Sequence, residues 1–202
     1  PVLVDIPKDI QFQTGTYIGP DTIKHKSYRP KLKANIDNID DALKLIAEAE
    51  KPIFYTGGGV INSGNAAVQL LREFVRLTGF PITSTLQGLG AFPGDDTQFV
   101  GMLGMHGTYE ANMAMNECDL MINIGARFDD RITGKIDEFS PNSKKIHIDI
   151  DPSSINKVVN VDVALVGDVA HVLEDAIKLW KSKVYKVNNC LLYTSDAADE
   201  DL

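Results

Sequence analysis

The chain has 202 residues and a formal net charge of −8, and 44% of its residues are hydrophobic. This length is enough for one good-sized hydrophobic core. The negative charge argues against a general nucleic-acid binder, which needs a basic face, and no apolar run approaches the roughly 18 residues that cross a bilayer. The two cysteines, Cys118 and Cys190, form neither a metal-ligand spacing nor a disulfide framework. We therefore expect a protein of a reducing, cytosol-like compartment that binds neither nucleic acid nor membrane.

The N-terminal part of the chain carries little periodic pattern. Residues 1–7 are mostly apolar and predict a lone short strand closed by proline, which would be the last strand of a preceding domain. The stretch that follows, to about residue 37, has scattered Gly, Pro and Lys, as is typical of a linker. Because the chain begins with proline and not with methionine, we expect it to be a fragment.

Alternating helical and strand patterns begin near Asn38. Apolar residues at helical spacing, with Asp40 as the N-cap, predict a first helix, and residues 65–77 predict another that Gly79 ends. A glycine- and methionine-rich loop covers residues 101–107. Strands that alternate with helices indicate an α/β fold with a doubly wound parallel sheet. Strands are predicted at residues 53–56, 81–85, 120–124, 145–152 and 163–166, and further helices reach to about residues 118 and 183.

The ends of the predicted strands carry the residues that could bind a ligand. Each strand ends in glycine, a small hydroxyl residue or an aspartate, and ligands of open α/β sheets bind outside the carboxyl ends of the strands. The strand at residues 120–124 is followed by a glycine and then by four charges in five positions, Arg127, Asp129, Asp130 and Arg131. A solvated turn would explain one such loop, whereas several similar strand ends favour a binding groove.

These residues suit a dinucleotide, although each also has a simpler structural interpretation. The glycines at residues 57–59 would let a diphosphate approach the main chain, or would form an ordinary tight turn. Arg127 and Arg131 could hold a diphosphate by forked hydrogen bonds, or could pair with nearby aspartates. Asp149 and Asp168 could accept hydrogen bonds from a ribose, while Asp168 could equally cap the helix that follows it. The residues alone indicate a dinucleotide-sized groove of unknown chemistry.

Several motifs resemble those of the large catalytic subunits of acetolactate synthase (acetohydroxyacid synthase), a family of thiamine-diphosphate enzymes. The sequences LGMHG and GARFDDRITG, at residues 103–107 and 125–134, are the most specific of them. The others are PVLVDIPKD at residues 1–9, YTGGG at 55–59, TLQGLG at 85–90, HIDIDP at 147–152 and VGD at 166–168. Order and spacing match the family from Pro1 to about Trp180.

The resemblance implies a division of the chain and a reaction. Residues 1–10 would end an N-terminal thiamine-pyrimidine domain, residues 11–37 would be a linker, residues 38–187 a Rossmann-like FAD-binding central domain, and residues 188–202 a disordered or non-native tail. The complete enzyme would condense two pyruvates, or pyruvate and 2-ketobutyrate, with loss of CO2 in branched-chain amino-acid (valine and isoleucine) biosynthesis. Thiamine diphosphate and Mg²⁺ would bind outside this chain, which would hold no catalytic residue or metal ligand and be inactive alone.

The resemblance also implies which residues line the FAD, a cofactor that performs no net redox step in this family. Asp130 and Arg131 would point toward the substrate channel. The residues implied for FAD are Gly57, Gly58, Gly59, Thr85, Leu86, Leu103, Gly104, Met105, His106, Gly125, Ala126, Arg127, Phe128, Asp129, Asp149, Ile150, Asp168 and Val169.

For the complete enzyme, the resemblance implies a homodimer or homotetramer that acts on small 2-keto acids and binds a regulatory small subunit. It implies the cytoplasm of a bacterium, or an organelle of a eukaryote. Two alternatives stay open. One is a related thiamine-diphosphate enzyme such as glyoxylate carboligase or pyruvate oxidase, and the other is a non-catalytic nucleotide-binding module.

Overall fold

One parallel sheet organises the part of the chain that the computed structural model describes, residues 2–19 and 29–187. Its strands follow the order β3-β2-β1-β4-β5-β6, and every neighbouring pair is parallel. This is the order of a doubly wound dinucleotide-binding sheet, in which the strand order reverses between β1 and β4. The predicted fold class is confirmed. The strands are β1 (Pro52–Thr56), β2 (Ile82–Ser84), β3 (Phe99–Met102), β4 (Leu120–Ile124), β5 (Lys144–Asp149) and β6 (Val163–Val166).

Helices flank the sheet. They are α1 (Lys8–Gln11), α2 (Ile36–Glu48), α3 (Gly58–Ser63), α4 (Asn65–Thr78), α5 (Tyr109–Glu117), α6 (Asp130–Thr133) and α7 (Val169–Lys183). Within the described ranges, none of them is both long and apolar enough to cross a membrane. Pro1, residues 20–28 of the predicted linker and the predicted tail at residues 188–202 lie outside the described residues.

The two faces of the sheet bury separate apolar layers, because side chains alternate between the faces along each strand. The face with Phe54, Ile122 and Ile148 packs against α2, α4 and α7. The opposite face, with Ile53 and Met121, packs against α5 and the loops that follow β3 and β4. Strands buried on both faces explain the nearly continuous apolar runs in the sequence.

Two predictions for the N-terminal part are wrong. Residues 2–7 are exposed and form no strand, because a lone extended segment has no neighbouring strand with which to form backbone hydrogen bonds. The first predicted helix corresponds to α2, which begins at Ile36. Its N-cap is Asn35 and not Asp40, since the Asn35 side chain accepts a hydrogen bond from the backbone N–H of Asp37 at 2.9 Å. Asp40 lies one turn inside that helix, where its carboxylate contacts the side chains of Lys44, Lys183 and Tyr185.

Strand β3 and the short helices α1, α3 and α6 are absent from the predicted elements. β3 overlaps the start of the predicted glycine- and methionine-rich loop at residues 101–107. It pairs with β2 through an irregular register, with Ile82 opposite Phe99 and Ser84 opposite Met102. The extra residue of β3 is accommodated near Gly101, whose φ is +99°. A four-residue edge strand with a bulge carries too little alternation to be recognised from sequence.

Candidate functional site

A groove of about 600 Å³ lies at the C-terminal ends of β1, β2, β4 and β5. It includes the point between β1 and β4 at which the strand order reverses, which is where doubly wound domains bind ligands. Its volume falls within the range of about 300–1,000 Å³ for small-molecule and cofactor sites. The residues that line it are Gly58, Gly59, Ile61, Asn62, Thr85, Leu86, Gln87, Gly125, Ala126, Arg127, Asp129, Arg131, Ile132, Asp149, Ile150, Asp151 and Ser154.

Glycines let the loops after β1 and β4 meet at the floor of the groove. The backbone N–H of Gly57 donates to the carbonyl of Ile124 at 3.1 Å, and that of Gly59 donates to the carbonyl of Gly125 at 2.8 Å. A Cβ on Gly57 would lie 2.5 Å from the Cα of Ala126, and one on Gly59 would lie 2.7 Å from the Cα of Gly125. These glycines therefore allow two backbones to approach each other, and Gly58 and Gly59 also line the groove.

The charged loop after β4 places two arginines on the groove. The Arg127 guanidinium lies 3.7 Å from the Asp129 carboxylate, the Arg131 guanidinium lies 4.0 Å from that of Asp130, and all four side chains are largely exposed. Such surface pairs contribute little, about 0–1 kcal/mol. Asp129 also caps α6 by accepting from the backbone N–H of Arg131. Both arginines remain available to an anionic ligand.

Asp149 lies at the end of β5 and lines the same groove. One of its carboxylate oxygens accepts from the backbone N–H of Asp151 at 2.8 Å. The other lies 3.7 Å from Nε2 of the buried His147. A carboxylate fixed in this way retains free lone pairs with which it can accept hydrogen bonds from ribose hydroxyls.

Asp168 does not line this groove. Its carboxylate caps α7 by accepting from the backbone N–H groups of Ala170 and His171 at 3.0 and 3.5 Å. The hydroxyl of Ser63, at the end of α3, donates to the same carboxylate at 2.9 Å. The contacts of Asp168 are therefore those of a helix N-cap. The hydrogen bond from Ser63 to this carboxylate also joins the end of α3 to the start of α7.

The loop after β3 lies beside α6. Asn112 of α5 holds this loop, since its side chain accepts from the N–H of Gly104 at 2.9 Å and donates to the carbonyl of Gly104 at 3.1 Å. The N–H of Met105 donates to the carbonyl of Arg131 at 2.9 Å. Leu103 is buried, and the side chain of Met105 is 61% exposed. The predicted residues that do not line the groove are Gly57, Leu103, Gly104, Met105, His106, Phe128, Asp130, Asp168 and Val169.

Sequence reasoning assigned no role to Tyr55, Asn123 and His147, which are fully buried beneath the groove and bind its backbone. A signal was present for Asn123, which interrupts the apolar run Leu120–Ile124. A buried amide costs free energy unless it is hydrogen-bonded, so an Asn inside such a strand indicates a specific partner. No group of three or more His, Cys, Asp or Glu side chains in the described ranges is placed to hold a metal ion.

Taken together, the groove offers an arginine-bearing loop, close backbone approach at two glycines and a fixed carboxylate at one end. Arg127 and Arg131 can bind a diphosphate by charge-assisted hydrogen bonds. Asp149 can accept from a ribose, and the exposed side chains of Leu86 and Ile150 offer apolar surface to a flat ring. The donor set fits an anionic dinucleotide.

Comparison with known proteins agrees with this arrangement. The family described as "Thiamine pyrophosphate enzyme, central domain" matches residues 39–176. The chain is 46% identical over 185 residues to the acetolactate synthase large subunit of Buchnera aphidicola subsp. Schizaphis graminum. These 185 residues cover 91% of this chain and 32% of the relative. It is 44% identical over 181 residues to the acetolactate synthase isozyme 3 large subunit of Escherichia coli K12, covering 89% of this chain and 31% of the relative.

A third relative, the acetolactate synthase large subunit of Corynebacterium glutamicum, is 46% identical over 182 residues, or 90% of this chain and 29% of the relative. The chain thus spans about a third of the length of these relatives, and the predicted resemblance is confirmed. Because the family match covers more than half of the chain, this protein belongs to the thiamine pyrophosphate enzymes and contains their central domain.

Proposed function

We propose that the groove binds FAD and that this chain is the central part of an acetolactate synthase large subunit. The observation that carries the proposal is the identity of 44–46% to acetolactate synthase large subunits over about nine tenths of the chain. The family match over residues 39–176 spans every residue that lines the groove.

The proposal assigns a part of the cofactor to each side of the groove. Arg127 and Arg131 would bind the diphosphate. Their ion pairs with Asp129 and Asp130 are weak and exposed, so these aspartates would compete little with the diphosphate for the two guanidinium groups. The backbone at Gly58 and Gly59 would approach the ligand, and Asp149 would accept from ribose hydroxyls. The predicted contacts with FAD of the residues that do not line the groove stay predictions; these residues are Gly57, Leu103, Gly104, Met105, His106, Phe128, Asp168 and Val169.

We further propose that the complete protein condenses two pyruvates, or pyruvate and 2-ketobutyrate, with loss of CO2. Thiamine diphosphate, with Mg²⁺, supplies the decarboxylation chemistry when bound. In that protein the loop of Asp130 and Arg131 would face the 2-keto acid substrate, since both side chains are exposed and Arg131 lines the groove. Assembly into a homodimer or homotetramer with a regulatory small subunit, and a cytoplasmic location in a bacterium, are part of the same proposal.

A binding experiment with the 202-residue chain tests the cofactor assignment. The chain is titrated against FAD, NAD and ADP, with riboflavin as a control that lacks the diphosphate, while flavin fluorescence or displacement of FAD is measured. We expect FAD to bind more tightly than riboflavin, and ADP to compete with it. Preferential binding of NAD, or no binding of any dinucleotide, would contradict the proposal.

A second measurement concerns catalysis. The chain is incubated with pyruvate, thiamine diphosphate, Mg²⁺ and FAD, and acetolactate is assayed. We expect no turnover from this chain alone, because the proposal places the thiamine-binding residues outside it. Turnover at about 1 s⁻¹ or more, a typical enzyme rate, would show that the chain holds catalytic residues of its own.

A further inference from the structure

A row of buried polar side chains crosses one face of the sheet, and three of them bind the loop that follows β4. Tyr55 of β1 lies opposite Asn123 of β4, which in turn lies opposite His147 of β5. All three are 0% exposed. Thr83 of β2, opposite Tyr55, extends the row but donates to the carbonyl of Gly101 instead. On the same face, Ile53 beside Tyr55 and Met121 beside Asn123 are apolar, whereas the buried Lys145 lies beside His147. Since polar groups are costly in such a layer unless they are bonded, their partners show what the row does.

The partners are backbone atoms of two consecutive residues, Ala126 and Arg127. The Asn123 amide donates to the Ala126 carbonyl at 2.9 Å and accepts from the Ala126 N–H at 3.1 Å. Nε2 of His147 lies 3.1 Å from the same carbonyl. The Tyr55 hydroxyl donates to the Arg127 carbonyl at 3.0 Å. Three strands therefore supply one hydrogen-bonding layer beneath one short stretch of loop.

The protonation of these groups follows from their partners. A carbonyl oxygen can only accept, so Nε2 of His147 carries the hydrogen in its contact with Ala126. In the described part of the chain, Nδ1 of this ring has no hydrogen-bond partner. Burial, with a smaller contribution from the charge of Asp129, raises the pKa of Tyr55 above its ordinary value. The phenol therefore keeps its hydrogen and remains a donor.

The rest of this loop backbone is held from the sides. The N–H of Gly125 donates to the carbonyl of Ile148 at 2.9 Å, and its carbonyl accepts from Gly59 at 2.8 Å. The Arg127 side chain, by contrast, is 79% exposed and lies on the groove. A backbone held by several hydrogen bonds thus carries an exposed guanidinium, whose one ion pair among the described residues is the 3.7 Å contact with Asp129. Apolar side chains in this layer would leave the buried N–H and carbonyl of Ala126 without partners, so the row fixes the loop backbone where it lies.

We propose that Tyr55, Asn123 and His147 are positioning residues, which hold the backbone of Ala126 and Arg127 so that the Arg127 guanidinium faces the diphosphate of the bound cofactor. This inference rests on the proposed function of the groove. It assigns to three buried side chains a contribution to cofactor affinity that acts through Arg127.

A double-mutant cycle on the 202-residue chain tests the inference. Tyr55→Phe, which removes one hydroxyl, and Asn123→Ala are each made alone and together with Arg127→Ala, and the Kd for FAD is measured well below the melting temperature. Tyr55→Phe alone should weaken FAD binding about fivefold, as expected for one hydrogen bond, and Asn123→Ala, which loses two, should weaken it at least as much. In the Arg127→Ala background the same change should alter Kd by less than about twofold, because the group through which it acts is gone.

Two further variants separate positioning from general stability. His147→Gln keeps an amide donor near the position of Nε2 and should retain FAD affinity within about twofold, whereas His147→Leu should lose about fivefold. Thr78→Val is the control, since Thr78 is buried and bonds the carbonyls of Phe74 and Val75 at the end of α4. It should lower the melting temperature without changing Kd.

The outcomes distinguish the inference from the proposed function. Wild-type chain that binds no FAD would overturn both. Two results would overturn the positioning role alone, provided that the wild type binds FAD. One is that Tyr55→Phe and Asn123→Ala weaken FAD affinity equally in the presence and absence of Arg127. The other is that neither variant changes FAD affinity. If Asn123→Ala fails to fold, the Tyr55→Phe cycle and the comparison of His147→Gln with His147→Leu decide between these results.

Discussion

The N–H of Gly59 donates to the carbonyl of Gly125 at 2.8 Å, and neither residue leaves room for a side chain on the other. A Cβ on Gly59 would lie 2.7 Å from the Cα of Gly125, and a Cβ on Gly125 would lie 2.8 Å from the Cα of Gly59. This contact joins the loop after β1 to the loop after β4, at the reversal point of the sheet. The floor of the groove therefore depends on two glycines that are 66 positions apart in the sequence.

Gly125→Ala should destabilise the chain by about 2–4 kcal/mol. Part of this is the cost of a side chain at φ +63°, about 1–2 kcal/mol for a left-handed residue, and the rest is the clash with Gly59. The free energy of unfolding in urea measures it. Gly79→Ala is the matched control, because Gly79 has φ +74° with nothing within 4 Å of its Cβ position. Equal losses in the two variants would mean that the loops can separate without cost.

The central part of the fold was predictable because its signals are local. Leu120–Ile124 and Val163–Val166 were predicted with the bounds that the structure has, since a buried parallel strand is a short apolar run between polar residues. Helix α4 was predicted to within a residue because Gly79 adopts the left-handed conformation that ends it. The sequence predicted a doubly wound parallel sheet but not the order of its strands, because strand order depends on contacts between distant segments.

The predictions that failed required partners that a local pattern does not contain. Residues 2–7 have strand-like composition but no neighbour in the sheet. Asp40 is of a residue type that often caps helices, but Asn35 lies at the start of α2 and is its N-cap. In the groove, the arginines and Asp149 follow from residue type and strand position. The row of Tyr55, Asn123 and His147 does not, because only cross-strand register brings the three together.

Asp168→Ala should destabilise the chain by about 1–2 kcal/mol, because it removes the cap of α7 and the partner of Ser63. Asp168→Asn should recover most of this, since an amide oxygen can accept from Ala170 and His171. Urea unfolding measures both variants. Asp175→Ala, in the body of the same helix, is the control and should change stability by about 0.5 kcal/mol or less. A loss in Asp175→Ala as large as that in Asp168→Ala would contradict the capping role.

The variant Asp168→Asn also tests the predicted contact of Asp168 with FAD. We expect its Kd for FAD to match that of wild type, because the carboxylate is occupied by α7 and Ser63 and does not line the groove. The measurement is the fluorescence titration described above, made at a temperature at which both proteins are folded. A tenfold weaker affinity would instead support direct contact between this carboxylate and the cofactor.

Asp40 should make stability depend on acid pH. Hydrogen bonds from Lys183 and Tyr185 lower its pKa from 3.8 to about 2 in the folded chain. Because the folded pKa is the lower one, the stabilisation is complete above about pH 5 and is lost as pH falls from about 4 to 2. The difference in urea midpoint between wild type and Asp40→Asn should shrink over that range. Asp41→Asn, whose carboxylate is 61% exposed, should show a smaller change, and a constant difference for Asp40→Asn would contradict the prediction.

Arg127→Ala should weaken FAD binding by about 1.5–3 kcal/mol, the range for a hydrogen bond to a charged group, or roughly ten- to a hundredfold in Kd. Arg127→Lys should recover only part of this, because an ammonium cannot reproduce the planar fork that matches a diphosphate. Fluorescence titration of the chain with FAD measures all three proteins. Arg76→Ala is the control, since Arg76 is a similarly exposed arginine that pairs with Asp96 at 3.5 Å and does not line the groove. Equal affinity for wild type, Arg127→Ala and Arg127→Lys would mean that this guanidinium serves only its 3.7 Å pair with Asp129.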